Sequence, residues 1–124
     1  MLRKFKVYNK KYKEVQAYVQ YNTETKRFTM QILKDYTGMH PDCIFKELHD
    51  KGYVEVPEYF VDMWVDSRVI CPNRQNMNGI LAELGLKEYD RFAFFILGHG
   101  ESQMDFSCII ELNEDGTEKK DLVL

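Results

Sequence analysis

Glu14-Val15-Gln16-Ala17-Tyr18-Val19-Gln20-Tyr21 sets Val15, Ala17, Val19 and Tyr21 against Glu14, Gln16, Tyr18 and Gln20. Strict alternation of this kind marks a strand with one buried and one wet face. The same period extends outward on both sides. Upstream, Phe5 and Val7 alternate with Lys4, Lys6 and Tyr8. Downstream, Phe28, Met30 and Ile32 alternate with Arg27, Thr29 and Gln31. Asn22-Thr23-Glu24-Thr25-Lys26 has the polar chemistry of a hairpin turn, and Asn9-Lys10-Lys11 turns the first strand into the second. Residues 1–36 therefore read as a three-stranded antiparallel meander.

Beyond Tyr36-Thr37-Gly38 the apolar period becomes helical. Pro41 suits a first turn, Ile44, Phe45 and Leu48 make a stripe, and Gly52 ends it. Pro57 opens a second helix with Phe60, Met63 and Trp64 on one face. A third has Asn73 as its expected cap, Met77, Ile80, Leu81 and Leu84 on one face, and Gly85 at its end. Tyr89 to Leu97 is apolar almost all round, which suits a buried central helix stopped by Gly98. Phe and Ile would serve a buried strand equally; length and the glycine favour the helix. Cys108 to Leu112 reads as a strand, and Lys120 to Leu124 as a short last strand or a frayed tail. The expectation is one α+β domain over residues 1–124. Its meander packs against a layer of about four short helices in residues 40–98, and a late strand in residues 106–124 joins the sheet.

Composition bounds the function classes. Of 124 residues, 44% are hydrophobic and 14% aromatic, enough for a core and against a disordered chain. Seventeen basic and 20 acidic residues leave a net charge of -3, with no overall drive towards nucleic acid or anionic membrane. No apolar run approaches the roughly 18 residues that span a bilayer, and the first residues hold no apolar signal core. The expected location is the cytoplasm. Cys43, Cys71 and Cys108 are odd in number and far apart, as a reduced chain would have them, and Cys43 and Cys108 suit small buried positions. They and His40, His49 and His99 have no metal-ligand spacing, so no metal or other cofactor is expected.

Five features carry candidate chemistry. Lys4, Lys6, Lys11 and Lys13 with Tyr18 combine cations and a stacking ring, as a nucleic-acid-binding sheet would; edge lysines that block strand pairing explain them as well. Gly98-His99-Gly100-Glu101-Ser102 places His99 near Ser102, yet lacks the strand–G-x-S-x-G–helix frame of a serine hydrolase. Cys71 before Pro72 and Asn73 offers a thiol at an expected helix start. Asp62 and Asp66 lie one helical turn apart, as a cation pair or a solvated face would. Arg68, Asn73, Arg74 and Gln75 could clamp a carboxylate, a phosphate or a partner's acidic loop. Alternatively Arg68 holds Asp66 or Asp90 internally. Trp64, the single tryptophan, is either core or a contact anchor.

The run Trp64-Val65-Asp66-Ser67-Arg68-Val69-Ile70-Cys71-Pro72-Asn73-Arg74-Gln75-Asn76 continues through Ile80-Leu81, Leu84-Gly85-Leu86 and Tyr89-Asp90 to Gly98 and Asp105. It resembles small uncharacterised bacterial proteins related to or neighbouring HipA-type toxin–antitoxin kinases. The chain departs from that pattern at His99 and at the single Asp105-Phe106. The resemblance implies a role in a toxin–antitoxin or mobile-element locus. It implies no phosphotransfer, because the chain is too short for a kinase domain and lacks both common phosphate-cradle motifs.

The leading expectation is a non-enzymatic regulator or inhibitor that presents Trp64, Arg68, Asn73, Arg74, Gln75 and His99 to a protein partner. A nucleic-acid module built on the N-terminal strands is the alternative, and a small hydrolase around His99 or Cys71 the third. No membrane partner is expected, and self-association is compatible with each.

Overall fold

The computed structural model describes residues 1–33 and 43–124, without the side chains of Cys43 and Ile44. The expected helix start at Pro41, the period change after Tyr36, the packing of Cys43 and Ile44, and His40 lie outside the described residues. Four strands, β1 (Leu2–Asn9), β2 (Glu14–Asn22), β3 (Arg27–Ile32) and β4 (Ser107–Leu112), form one antiparallel sheet. Its order is β3-β2-β1-β4, so the meander forms as expected and the late strand pairs with the first, not the third. Between them come helices α1 (Cys43–Asp50), α2 (Glu58–Asp66), α3 (Met77–Leu84) and α4 (Arg91–Leu97). The fold is α+β.

One face of the sheet makes the core. Phe5, Val7, Ala17, Val19, Phe28 and Met30 point into it. From the helical side α1 supplies Phe45 and Leu48, α2 supplies Val61, Trp64 and Val65, and α4 supplies Phe92, Phe95 and Ile96. Phe95 is its hub, meeting Phe5, Phe28 and Trp64 edge-on at centroid distances of 6.3, 5.3 and 5.9 Å. Asp90 starts α4 by accepting hydrogen bonds from the Phe92 and Ala93 N–H groups.

Several expectations are corrected. Gln16 is fully buried, because a bulge pairs Tyr8 with Val15 while Val7 pairs with Ala17 and turns the intervening residue inward. There its Oε1 accepts from the Ser107 hydroxyl at 2.8 Å. On α2 the buried face is Val61, Trp64 and Val65, and Met63 is exposed. Asn73 does not cap α3, which begins at Met77 after Asn76, and only Leu81 of its apolar residues is buried. Residues 120–124 form no strand. Instead the chain after β4 bends back at 113–117, and Lys119 N–H donates to the Glu111 carbonyl.

The inner face ends in a buried charge pair. Arg3 on β1 donates from Nε and Nη2 to both oxygens of Glu111 on β4, at 2.8 and 2.6 Å. Its remaining donors reach the Val123 and Leu124 carbonyls. Burial pushes the Glu111 carboxyl up, but the bonds and charges of Arg3 and Lys119 outweigh it, and the group sits below the ordinary range. A carboxyl depressed in this way stabilises the fold above its unfolded pKa of about 4.3, and that contribution fades as pH falls through the lower folded value. Glu111→Gln is expected to be less stable at pH 7, with a gap to the wild type that narrows below about pH 4. Chemical denaturation across that range checks this; a gap constant with pH would refute it.

Candidate functional site

Two clusters far apart in sequence meet at one end of the sheet. The β1–β2 turn brings Lys10, Lys11, Tyr12 and Lys13, and the segment after α2 brings Ser67 to Arg74. The loop from Glu101 to Phe106 joins them. On one side, Lys10 N–H donates to the Phe106 carbonyl at 2.9 Å, and Lys10 Nζ pairs with Glu101 at 2.6 Å. On the other, Arg68 grips Asp105 with two bonds, Nη1 to Oδ1 at 3.1 Å and Nη2 to Oδ2 at 2.6 Å. The Arg68 Nη1 also reaches the Gly100 carbonyl, and its guanidinium lies 4.1 Å from the Trp64 ring centroid.

Each loop is shaped by local chemistry. Asn9 Oδ1 accepts from Lys11 and Tyr12 N–H groups, which closes the β1–β2 turn. Asp105 Oδ1 accepts from Ser107 N–H, fixing where β4 begins. Gly100, at φ +60°, packs so closely on Ile109 that a Cβ there would sit 2.7 Å from its Cγ2. His99 takes a positive φ beside it and gives its carbonyl to the Ile109 N–H.

What results is a wide, shallow cleft of about 750 Å³ between Ser67–Arg74 and Glu101–Met104. Arg74, Asn73, Cys71 and Met104 stand exposed along it. Beside it Tyr12 and Phe106 are also exposed, and Lys11 Nζ lies 5.3 and 5.0 Å from their ring centroids.

The expected site residues divide accordingly. Arg68, Asn73 and Arg74 line the cleft, while Gln75 and His99 are exposed outside its lining. Trp64 is core, at 4% exposure, and the Arg68 side chain is buried under Asp105, so neither is presented to a partner. Arg68 is held internally, though by Asp105 and not by Asp66 or Asp90. Those two acids are engaged elsewhere: Asp66 and Asp62 bind Arg91, and Asp90 caps α4. Cys71 is exposed and lies several residues before α3, not at its first turn. Among the described residues no hydrogen bond joins His99 to Ser102, whose hydroxyl accepts from Met104 N–H. Cys108 is half-buried on the open face of the sheet opposite Tyr8, and burial raises its thiol pKa.

The open face collects the basic strand residues. Lys6 lies opposite Tyr18 and Lys4 opposite Gln20, so Lys4, Lys6 and Tyr18 share one surface. Lys6 is paired with Glu118 at 2.9 Å, whereas Lys11 and Lys13 belong to the turn at the cleft. Among the described residues no three acid, His or Cys side chains gather to hold a metal, and no helix is long and apolar enough to cross a membrane.

Met104 and Phe106 were missed as site residues, and Glu101 was read only as part of the Gly98–Ser102 loop. Their meeting depends on contacts across 91 and 37 positions, Lys10 to Glu101 and Arg68 to Asp105. The one local sign was Asp105-x-Ser107, an acid able to bond the N–H two residues on. Comparison with protein-family models, curated proteins and solved structures finds no match to this chain.

Removing Asp105 leaves a buried guanidinium without its carboxylate, a change worth about 3 kcal/mol. Asp105→Ala is expected to lose roughly that stability and to speed hydrogen exchange at Ser107 N–H, measured by urea unfolding and NMR. Unchanged exchange there would show that Asp105 does not order this loop.

Proposed function

We propose that the chain is a protein-interaction module whose contact surface is the end of the sheet bearing Tyr12, Met104, Phe106 and Arg74. One observation carries the reading: Tyr12, Met104 and Phe106 are left exposed at this end of the sheet, and Met104 shares its cleft with Arg74, which has no ion-pair partner among the described residues. Aromatic, Met and Arg side chains are the types that protein interfaces favour, and they supply most hot spots. A shallow cleft suits a protein surface better than a small substrate, which wants enclosure. Lys10, Lys11 and Lys13 rim the patch; Glu101 pairs with Lys10, and among the described residues no ion pair engages Lys11 or Lys13. The partner would therefore present an apolar anchor within an acidic segment. A regulator or inhibitor in a bacterial toxin–antitoxin or mobile-element setting belongs to the same proposal, on the strength of the resemblance around Trp64–Asp105.

The second reading rests on the register that sets Lys6 opposite Tyr18 on the open face. A strand of nucleic acid would stack on Tyr18 and follow Lys4 and Lys6. Two features weigh against it. Glu118 already holds Lys6, and the half-buried Ile110 and Leu112 occupy that face beside Lys6 and Lys4.

Tagged protein incubated with lysate of its host, with and without nuclease, separates the two. The expected result is a partner that survives nuclease, is retained by Lys4→Ala/Lys6→Ala, and is lost with Arg74→Glu/Phe106→Ser. The last pair changes exposed side chains, so its thermal midpoint is expected to stay within a few degrees of the wild type. A nuclease-sensitive partner, or one indifferent to Arg74 and Phe106, would remove the interaction reading.

A further inference from the structure

At the opposite end of the sheet, the β2–β3 turn and the segment leading into α4 enclose a second, tighter cavity of about 310 Å³. This is the lower end of the size range of small-molecule sites. Its apolar wall comes from Phe28, Leu86 and Phe92, and its rim carries Lys26 and Lys87.

Three observations mark it as built to hold something. Tyr21 lines the cavity and is only 6% exposed, yet its hydroxyl has no hydrogen-bond partner among the described residues. The ring cannot turn away, because it is stacked on Phe92 at 3.9 Å and 5° and packed against Phe28 at 4.7 Å. The ring is thus fixed and buried while its hydroxyl, free of any bond among the described residues, remains available to donate to an acceptor in the cavity. The second observation is Lys26, which sits at φ +58° in a turn position where glycine is at ease and lysine is strained. Lys26 is exposed and lines the cavity.

The third is the balance of charge. Neither Lys26 nor Lys87 has an ion-pair partner among the described residues. Of the other charged groups in the wall, Arg91 is held by Asp62 and Asp66, and the Asp90 carboxylate is engaged by the N–H groups of α4. Glu88 is exposed at the rim and is the one acid there without such an engagement. The cavity thus offers a hydroxyl donor, two ammonium groups and an apolar wall.

We propose that this cavity binds a small carboxylate carrying an apolar body, with its charge on Lys26 and Lys87, a bond from the Tyr21 hydroxyl, and its body against Leu86, Phe28 and Phe92. The site is separate from the surface at the other end of the sheet, so it stands or falls independently of that reading.

Benzoate serves as the probe, with benzyl alcohol and benzylamine as neutral and cationic counterparts, in a ¹H–¹⁵N NMR titration of the full chain. Saturable shifts at residues 21–28 and 86–92 are expected with benzoate in the millimolar range, and none with benzylamine. Lys26→Gly is the sharpest variant because it relaxes the turn. It is expected to raise the thermal midpoint or leave it unchanged while weakening benzoate roughly tenfold. Tyr21→Phe keeps the ring stack and should weaken binding several-fold. The proposal is overturned if benzyl alcohol gives the same shifts as benzoate, if benzoate shows no saturable shift there, or if Lys26→Gly binds it as well as the wild type.

Discussion

The bond between Arg68 and Asp105 ties together parts that no stretch of regular structure connects. Arg68 follows α2, stacks on Trp64 of that helix, and through Asp105 holds the loop that delivers β4. The same carboxylate receives Ser107 N–H, and the Ser107 hydroxyl reaches Gln16 on β2. A chain of polar contacts thus runs from the helical layer through β4 to the middle of the sheet. Each contact hands on to the next, and a connected run of buried polar contacts of this kind favours one arrangement of the chain.

That chain also explains why the exposed patch has a fixed shape. Phe106 and Met104 lie on a loop pinned on both sides, by Lys10 and by Arg68. Side chains displayed on a pinned loop lose little freedom when they meet a partner, and affinity gains from such preorganisation. The buried arginine supports the surface without belonging to it, while Arg74, six residues on, remains outside.

Much of the fold could be read because its signals are local. Alternation around Phe5, Val19 and Met30 marks strands, and Gly52, Gly85 and Gly98 stop helices, each within a few residues. Gln16 could not be read, since a bulge belongs to the register between two strands and leaves no mark on one of them. The face of α2 was misjudged for a related reason. Periodicity admitted either Met63 or Val61, and neighbours decided for Val61. At the candidate site, Arg68, Asn73 and Arg74 were legible as a cluster by adjacency. Their union with Tyr12 and Phe106 was not, because long-range ion pairs create it.

Pairing β4 with β1 has a consequence for how the chain folds as it is synthesised. Asn9 faces Ser107 in the finished sheet, so one side of β1 stays bare until about 98 further residues have been made. At translation rates of 5–20 residues per second that delay is roughly 5–20 s. Through it, the meander exposes Phe5, Val7 and an unpaired strand edge, the kind of surface on which nascent chains stick to one another. The charged Lys4 and Lys6 on that strand then act as gatekeepers during synthesis.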